Sequence, residues 1–342
     1  MTIFHPTLQS LKQKLRIKAI NTGKTFTHNG QANGIVFDDI ERLHALVGID
    51  GYLHFKSGTE FSMIEYRGQN EDFGVCKTTL DRYTSEQEQF LSICRTITFE
   101  ELLEDHPFIK LARSLQIDGN PLSLNLTGIA QHYELATDYL DITNNFDVAS
   151  FFATCKYENG KYYPIGNISK PGVIYKMYDI VLSPFLQDEN KDILLEYLGW
   201  QPLPRPEQQR ASVLKVAKDT NIDTVSSIQK YYFKHSIHQS KKIWNQFDKG
   251  EALFPQDSAA ELANECKRLN SFTNKQIDKA LERFEIWSGK KLVNKEQVLD
   301  NLNIEIIDNS TLSWNNLVDT SLEYWENKFH ETISKVGYRM SF

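Results

Sequence analysis

The stretch from Leu126 to Tyr157, LTGIAQHYELATDYLDITNNFDVASFFATCKY, constrains the fold more than any other part of the chain. GIAQHYE has helical spacing and ends near Glu134, YLDIT alternates as a short strand, and NNFDVASFFATC reads as a helix capped by Asn144 or Asn145. Helix, strand and helix in such quick succession must fold back on one another, and the polar junctions then lie at the rim of a pocket. A chain with this segment is a mixed helix and strand protein with a candidate pocket within Leu126–Tyr157.

The flanking sequence supplies the remaining elements. LQSLKQKLRI is amphipathic, and in FDDIERLHALV the residues Phe37, Ile40, Leu43, Leu46 and Val47 recur at helical spacing, which predicts a helical entry. GYLHF and FSMIEYRG read as two strands joined by a hairpin-like turn, with Arg67 near a strand end. Ser85 before EQEQ is a capping pattern, and Pro107 predicts a break between two helices. GVIYKMYDIVL reads as a buried strand, and the Pro-punctuated WQPLPRPEQQRASVLKVA leads into another. Beyond residue 224 helical periodicity takes over, beginning with SSIQKYYFKHSIHQSKKIWNQF and giving a mostly helical tail from about 257.

At 342 residues the chain is long for one core, which fits two packed lobes or one large domain with an appendage. With 24% charged and 40% hydrophobic residues, the composition is that of a folded chain. The 38 Lys and Arg against 45 Asp and Glu give a net charge of -7, which argues against coating nucleic acid or anionic lipid over the whole surface and leaves room for a local basic groove. No run of about 18 uncharged residues is present, as a membrane span would need. The opening MTIFHPTLQSLKQKLRIK lacks the apolar stretch of a signal peptide, so a cytoplasmic protein with no membrane partner is expected. Cys76, Cys94, Cys155 and Cys266 are scattered without a CxxC pair and read as reduced, buried thiols. Walker, GxGxxG, HExxH and GxSxG motifs are absent.

The chemistry-bearing candidates are few. In EYRG, an Arg at a strand end before Gly68 presents a fork of donors to a phosphate or carboxylate while Gly permits close approach; the alternative pairs Arg67 with Glu65 or Asp72 and leaves Gly68 as a turn. His132 sits among aromatic and amide groups and suits hydrogen bonding or proton transfer. Asp141 lies inside an apolar run and must find a donor, from Arg67, Tyr133 or a backbone amide, with Thr143 orienting the same network. His235 and His238 are three apart without an acidic or Cys partner, so no metal site is expected. Phe151 and Phe152, like Tyr231, Tyr232 and Phe233, read first as core.

Taken together, YRG at Tyr66–Gly68, AQHYELATDYLDITNNFDVASFFA at Ala130–Ala153, PEQQRA at Pro206–Ala211 and KGEALFPQD at Lys249–Asp257 resemble the FRG domain family in order and spacing. That family is named for an F/Y-R-G signature, and its second segment runs close to QHYGLPTRLLDWT before an apolar helix. Here Glu134 and Ala136 replace the common Gly and Pro, Asp138 and Tyr139 replace Arg and Leu, and Ala211 stands near the usual Gly. The resemblance implies a helical entry over 1–34, an FRG domain over 35–265 and a helical C-terminal extension over 266–342. Family members occur in bacterial and phage-borne proteins, so a toxin or antiphage-defence effector is expected.

The arrangement more distantly resembles ADP-ribosyltransferases of the Arg-Ser-Glu type. That likeness implies an α+β fold with a small, bent, mostly antiparallel sheet, and NAD as substrate. It makes Arg67 the dinucleotide clamp within Tyr66–Gly68, Tyr133 or Tyr139 the aromatic wall, and Glu207 or Gln209 the ribose contact, with His132, Asp141 and Thr143 completing the pocket. Scission of the nicotinamide–ribose bond develops oxocarbenium character, which such a site would stabilise before transfer to a protein or nucleic-acid acceptor or to water. Two rivals stand beside it. One is a binding or sensing module recognising a phage component or partner protein through Trp287, Trp314, Tyr324, Trp325 and Phe329 of the C-terminal helices. The other is a nuclease holding Mg²⁺ on Asp138, Asp141 and Asp147.

Overall fold

Six runs rich in β-branched and aromatic residues pair into one sheet in a computed structural model that describes residues 5–15, 25–28, 31–35, 38–48, 50–59, 64–178, 192–292, 295–314 and 322–338. They are β1 (Ile64–Gln69), β2 (Tyr139–Thr143), β3 (Gly172–Tyr178), β4 (Ile193–Tyr197), β5 (Ala211–Val216) and β6 (Ile228–Phe233). Their order is β4-β5-β2-β1-β3-β6, and every neighbouring pair is antiparallel. Eleven α-helices are present among the described residues: α1 (Leu8–Leu15), α2 (Glu86–Asp105), α3 (Pro107–Arg113), α4 (Leu126–His132), α5 (Phe146–Thr154), α6 (Pro204–Gln208), α7 (Ile237–Gln246), α8 (Ser258–Cys266), α9 (Asn274–Ser288), α10 (Lys295–Asn301) and α11 (Leu322–Ser334).

The middle of the sheet positions the site. β1 pairs with β3 along its whole length, but with β2 only at Tyr66 and Thr143. Continued, that register would set Gly68 opposite Asp141; instead the ladder stops and the two strands part. α5 lies directly over β1. A Cβ built on Gly68 would fall 1.8 Å from the Ala149 carbonyl oxygen and 2.9 Å from the Ala153 nitrogen, so glycine is required here for helix-on-strand packing. A turn, the alternative read from the sequence, does not account for Gly68, which lies inside β1.

One face of the sheet buries Leu140, Ile142, Val173, Met177, Leu195 and Leu214. On the other, Tyr66, Phe146, Ala149, Ile174 and Phe233 pack with Leu8, Leu11 and Leu15 of α1. A helical core forms where Phe90, Ile93 and Ile97 of α2 meet Ile277, Phe284 and Trp287 of α9. Each such side chain gains about 1.5–3 kcal/mol by leaving water. α9 and α10 therefore share a core with α2, while Trp325, Phe329 and Ile333 of α11 pack against Phe108 and Ala112 of α3.

Several local expectations hold: Ser85 caps α2 by accepting from Glu88 N at 3.1 Å, Pro107 opens α3, and Asn145 caps α5 by accepting from Asp147 N at 2.8 Å. Others are corrected. FDDIERLHALV is not helical; Asp38–Val47 is a strand, antiparallel to Leu53–Thr59 and parallel to Val336–Tyr338. Buried Leu43 and Ala45 also fit a period of two, and the two partner strands decide between the readings. The YLHF and IEYRG strands belong to different sheets and form no hairpin. The IQKYYF part of the expected helix is β6, whose β-branched and aromatic residues complete a ladder with β3. Residues 179–191, including the end of GVIYKMYDIVL, lie outside the described residues. All four cysteines are free and buried, and burial pushes Cys155 and Cys266 up to about 12. Among the described residues, no helix is long and apolar enough to cross a membrane.

Candidate functional site

Where β1 and β2 part, a cavity of about 90 Å³ is lined by Arg67, His132, Asp141, Thr143, Phe152 and Gln209, together with Tyr66, Gly68 and the apolar Ile142, Val148 and Ala149. Three distant stretches of chain thus meet: the YRG strand, the QHY helix with its following strand and helix, and the end of α6. Ligand pockets run to about 300–1,000 Å³. This one holds the equivalent of about three waters, enough for one small group of a larger ligand.

Arg67 donates from Nη1 to the Asp141 backbone oxygen at 2.7 Å, bridging the gap in the ladder, while its Nε is buried without a partner. Of the acids expected to pair with it, Asp72 is bound by Lys230 and Tyr232, each at 2.8 Å. The donor to Asp141 is Gln131, whose Nε2 lies 3.1 Å from Oδ2, with Thr137 donating to the other end of that amide. Asp141 Oδ1 has no hydrogen-bond partner, and His132 Nε2, also without one, stands 3.7 Å from it. His132 is 3% exposed, so its unsatisfied nitrogen has no recourse to bulk water.

Gln209 is held on both sides. Its Nε2 donates to the Leu253 carbonyl at 3.0 Å, its Oε1 faces His132 Nδ1 at 2.8 Å, and its backbone oxygen accepts from Thr143 Oγ1 at 2.8 Å. Thr143 Oγ1 accepts in turn from Asn145 N at 3.0 Å. The hydroxyl thus ties β2, the end of α6 and the α5 cap together.

Other expected residues lie elsewhere. Tyr133 donates to Asp257 Oδ2 at 2.6 Å with the Arg205 guanidinium 4.6 Å from its ring centre, and burial pushes its hydroxyl well up. Tyr139 donates to Glu196 at 2.8 Å and is raised by burial and by that carboxylate. Neither tyrosine lines the cavity; its aromatic residues are Tyr66 and Phe152, the latter read from the sequence as core. Glu207 does not line it either; burial raises its carboxyl, against the opposing charge of Lys335. Gln131, absent from the expected site, had one legible signal: a carboxylate in an apolar run requires a donor nearby.

The acidic trio does not assemble. Asp138 is buried and raised by that burial, Asp147 pairs with Lys12, and no cluster able to hold a metal occurs among the described residues. His235 donates from Nε2 to the Asn70 carbonyl at 2.8 Å, apart from His238 on α7. Of the aromatics expected to form a docking face, Trp287 and Trp314 are buried, and Trp325 stacks on Phe108 at 5.4 Å.

A larger cleft of about 750 Å³ is lined by Gln69, Phe73, Lys77, Arg82 and Lys218 among others. Gln69 shares a strand face with Arg67, two residues before it. Arg82 is held below its ordinary value by burial and then by the charge of Arg67.

No curated protein and no solved structure matches the chain. The family model of the FRG domain matches residues 62–161, a span that contains β1, β2, α4 and α5 and all but Gln209 of the cavity lining. The chain carries an FRG domain, and that domain supplies most of the cavity lining.

Proposed function

We propose that this protein is an effector that binds NAD at the Arg67 cavity and processes it in the manner of an ADP-ribosyltransferase or NAD glycohydrolase. The observation that carries the reading is the convergence of Arg67, His132, Asp141 and Gln209 on one cavity, three of them with a buried polar atom that lacks a partner. Such atoms cost about 1–3 kcal/mol each when left unmade, and a ligand rich in hydroxyl and amide groups can recover that. NAD carries both. The cavity admits one sugar or amide edge, and the larger cleft beside Gln69 has room for more of a dinucleotide, with Lys77, Arg82 and Lys218 at hand for its phosphates.

In this reading Arg67 fixes the ligand at the parted strands, Phe152 covers it and Gln209 acts through His132. The Asp141 carboxylate, with its Oδ1 buried in the cavity wall, can act on developing positive charge. By the FRG resemblance the effector is a toxin or an antiphage-defence protein acting in the cytoplasm, with a protein or nucleic-acid acceptor. Calorimetry with NAD tests the binding. Wild type should bind, Arg67→Ala should weaken binding at least tenfold at unchanged fold, and wild type should consume NAD in a lysate. No heat of binding together with no NAD loss rejects the proposal.

A further inference from the structure

With His132 neutral, two hydrogen-bond acceptors stand 3.7 Å apart at the cavity, and the chain itself decides which ring nitrogen is the acceptor. The Leu253 carbonyl can only accept, so the Gln209 atom 3.0 Å from it is the amide nitrogen, and the amide oxygen must be the one turned to His132. That oxygen can only accept as well, so His132 Nδ1 carries a proton. Nε2 of the neutral ring is then a lone pair, 3.7 Å from Asp141 Oδ1. The Asp141 carboxylate is fixed from the other side, because Gln131 Nε2 occupies Oδ2. Neither acceptor has a donor, and both are buried. An anionic group set on these two atoms would meet a carboxylate and a lone pair, with only Arg67 Nε as an unpartnered buried cationic donor in the lining.

We infer that the cavity recognises a neutral group presenting two hydrogen-bond donors, one to His132 Nε2 and one to Asp141 Oδ1, and that Gln209 is a positioning residue that selects the histidine tautomer. Within the proposed function, the ligand part that enters is a sugar diol or primary carboxamide and the phosphates stay outside. When a hydroxyl donates to Nε2, the same lone pair can take its proton, leaving imidazolium beside the Asp141 carboxylate and an oxygen nucleophile on the ligand. The tautomer of the neutral ring rests on the geometry alone; only the identification of the donor group with part of NAD rests on the proposed function.

Nitrogen-15 NMR of the histidine-labelled full chain tests this without any turnover. The His132 ring should show a protonated Nδ1 and an unprotonated Nε2. Gln209→Leu should transfer much of the population to the other tautomer, and Gln209→Glu, which keeps an acceptor, should restore it. D-ribose or nicotinamide should move the Nε2 resonance in wild type, while inorganic phosphate should not. A protonated Nε2 in neutral wild type, or a Gln209→Leu spectrum with the tautomer unchanged, overturns the positioning role. No Nε2 shift with either neutral probe, or a shift with phosphate alone, overturns the ligand assignment. NAD binding that fails while ribose or nicotinamide still shifts Nε2 rejects the proposed function and leaves this inference standing.

Discussion

His132 and Gln209, 77 positions apart in the chain, meet at 2.8 Å between ring Nδ1 and amide Oε1, and the far end of that amide is anchored to the Leu253 carbonyl at 3.0 Å. Replacing Gln209 by Leu removes both bonds and leaves a buried N–H and a buried carbonyl without partners. Stability should fall by about 2–4 kcal/mol, summing two losses of the usual size. Urea denaturation checks this; an unchanged midpoint would mean that the network is absent in solution.

Gly68 is packed against backbone, which cannot swing aside as a side chain would. Gly68→Ala should displace α5 from β1 and cost at least about 1–3 kcal/mol, the usual range for overpacking. A thermal melt reads the loss, and a melt identical to wild type would contradict the helix-on-strand contact.

His106 caps α3 by accepting from Phe108 N at 3.1 Å, and its ring lies edge-on to Trp314 and Trp325 at 4.7 and 4.8 Å. Burial favours the neutral ring and lowers it from 6.5 to about 4. The stability it contributes is complete above its unfolded value and is lost as pH falls through about 4, amounting to about 3 kcal/mol. Urea midpoints measured from pH 7 to 4 should show this decline in wild type. In His106→Asn, which keeps a capping acceptor, the decline should be shallower.

The C-terminal helices are part of the folded unit. Cutting the chain after residue 270 removes Phe272, Ile277, Phe284 and Trp287 from the core around Phe90. The truncated chain should show no cooperative unfolding transition, and Trp287→Ala in the full chain should cost about 3–5 kcal/mol. A shortened protein that melts as wild type does would show the two parts to be independent.

The sequence made the central elements legible wherever one local signal dominated. Asn145 at the α5 cap and Ser85 at the α2 cap were readable because capping is a local hydrogen bond. Asp38–Val47 was not, because its apolar spacing fits both periods and its partners lie at 53–59 and 336–338. The pocket was half legible. Arg67, His132, Asp141, Thr143 and Gln209 do converge, since their motif fixed the strand and helix that carry them. Tyr133, Tyr139 and Glu207 do not, because facing direction depends on partners far along the chain, such as Asp257 and Glu196. The strand gap that makes the cavity comes from a ladder of a single residue pair, which no composition reveals.

A crystal structure of the full chain grown with NAD tests the central claim most directly. The expected result is ligand density between the parted strands, with donors of a neutral ligand group within hydrogen-bond reach of His132 Nε2 and Asp141 Oδ1 and the phosphates outside the cavity. NAD bound only elsewhere on the molecule, with the Arg67 cavity holding nothing but water, would contradict it.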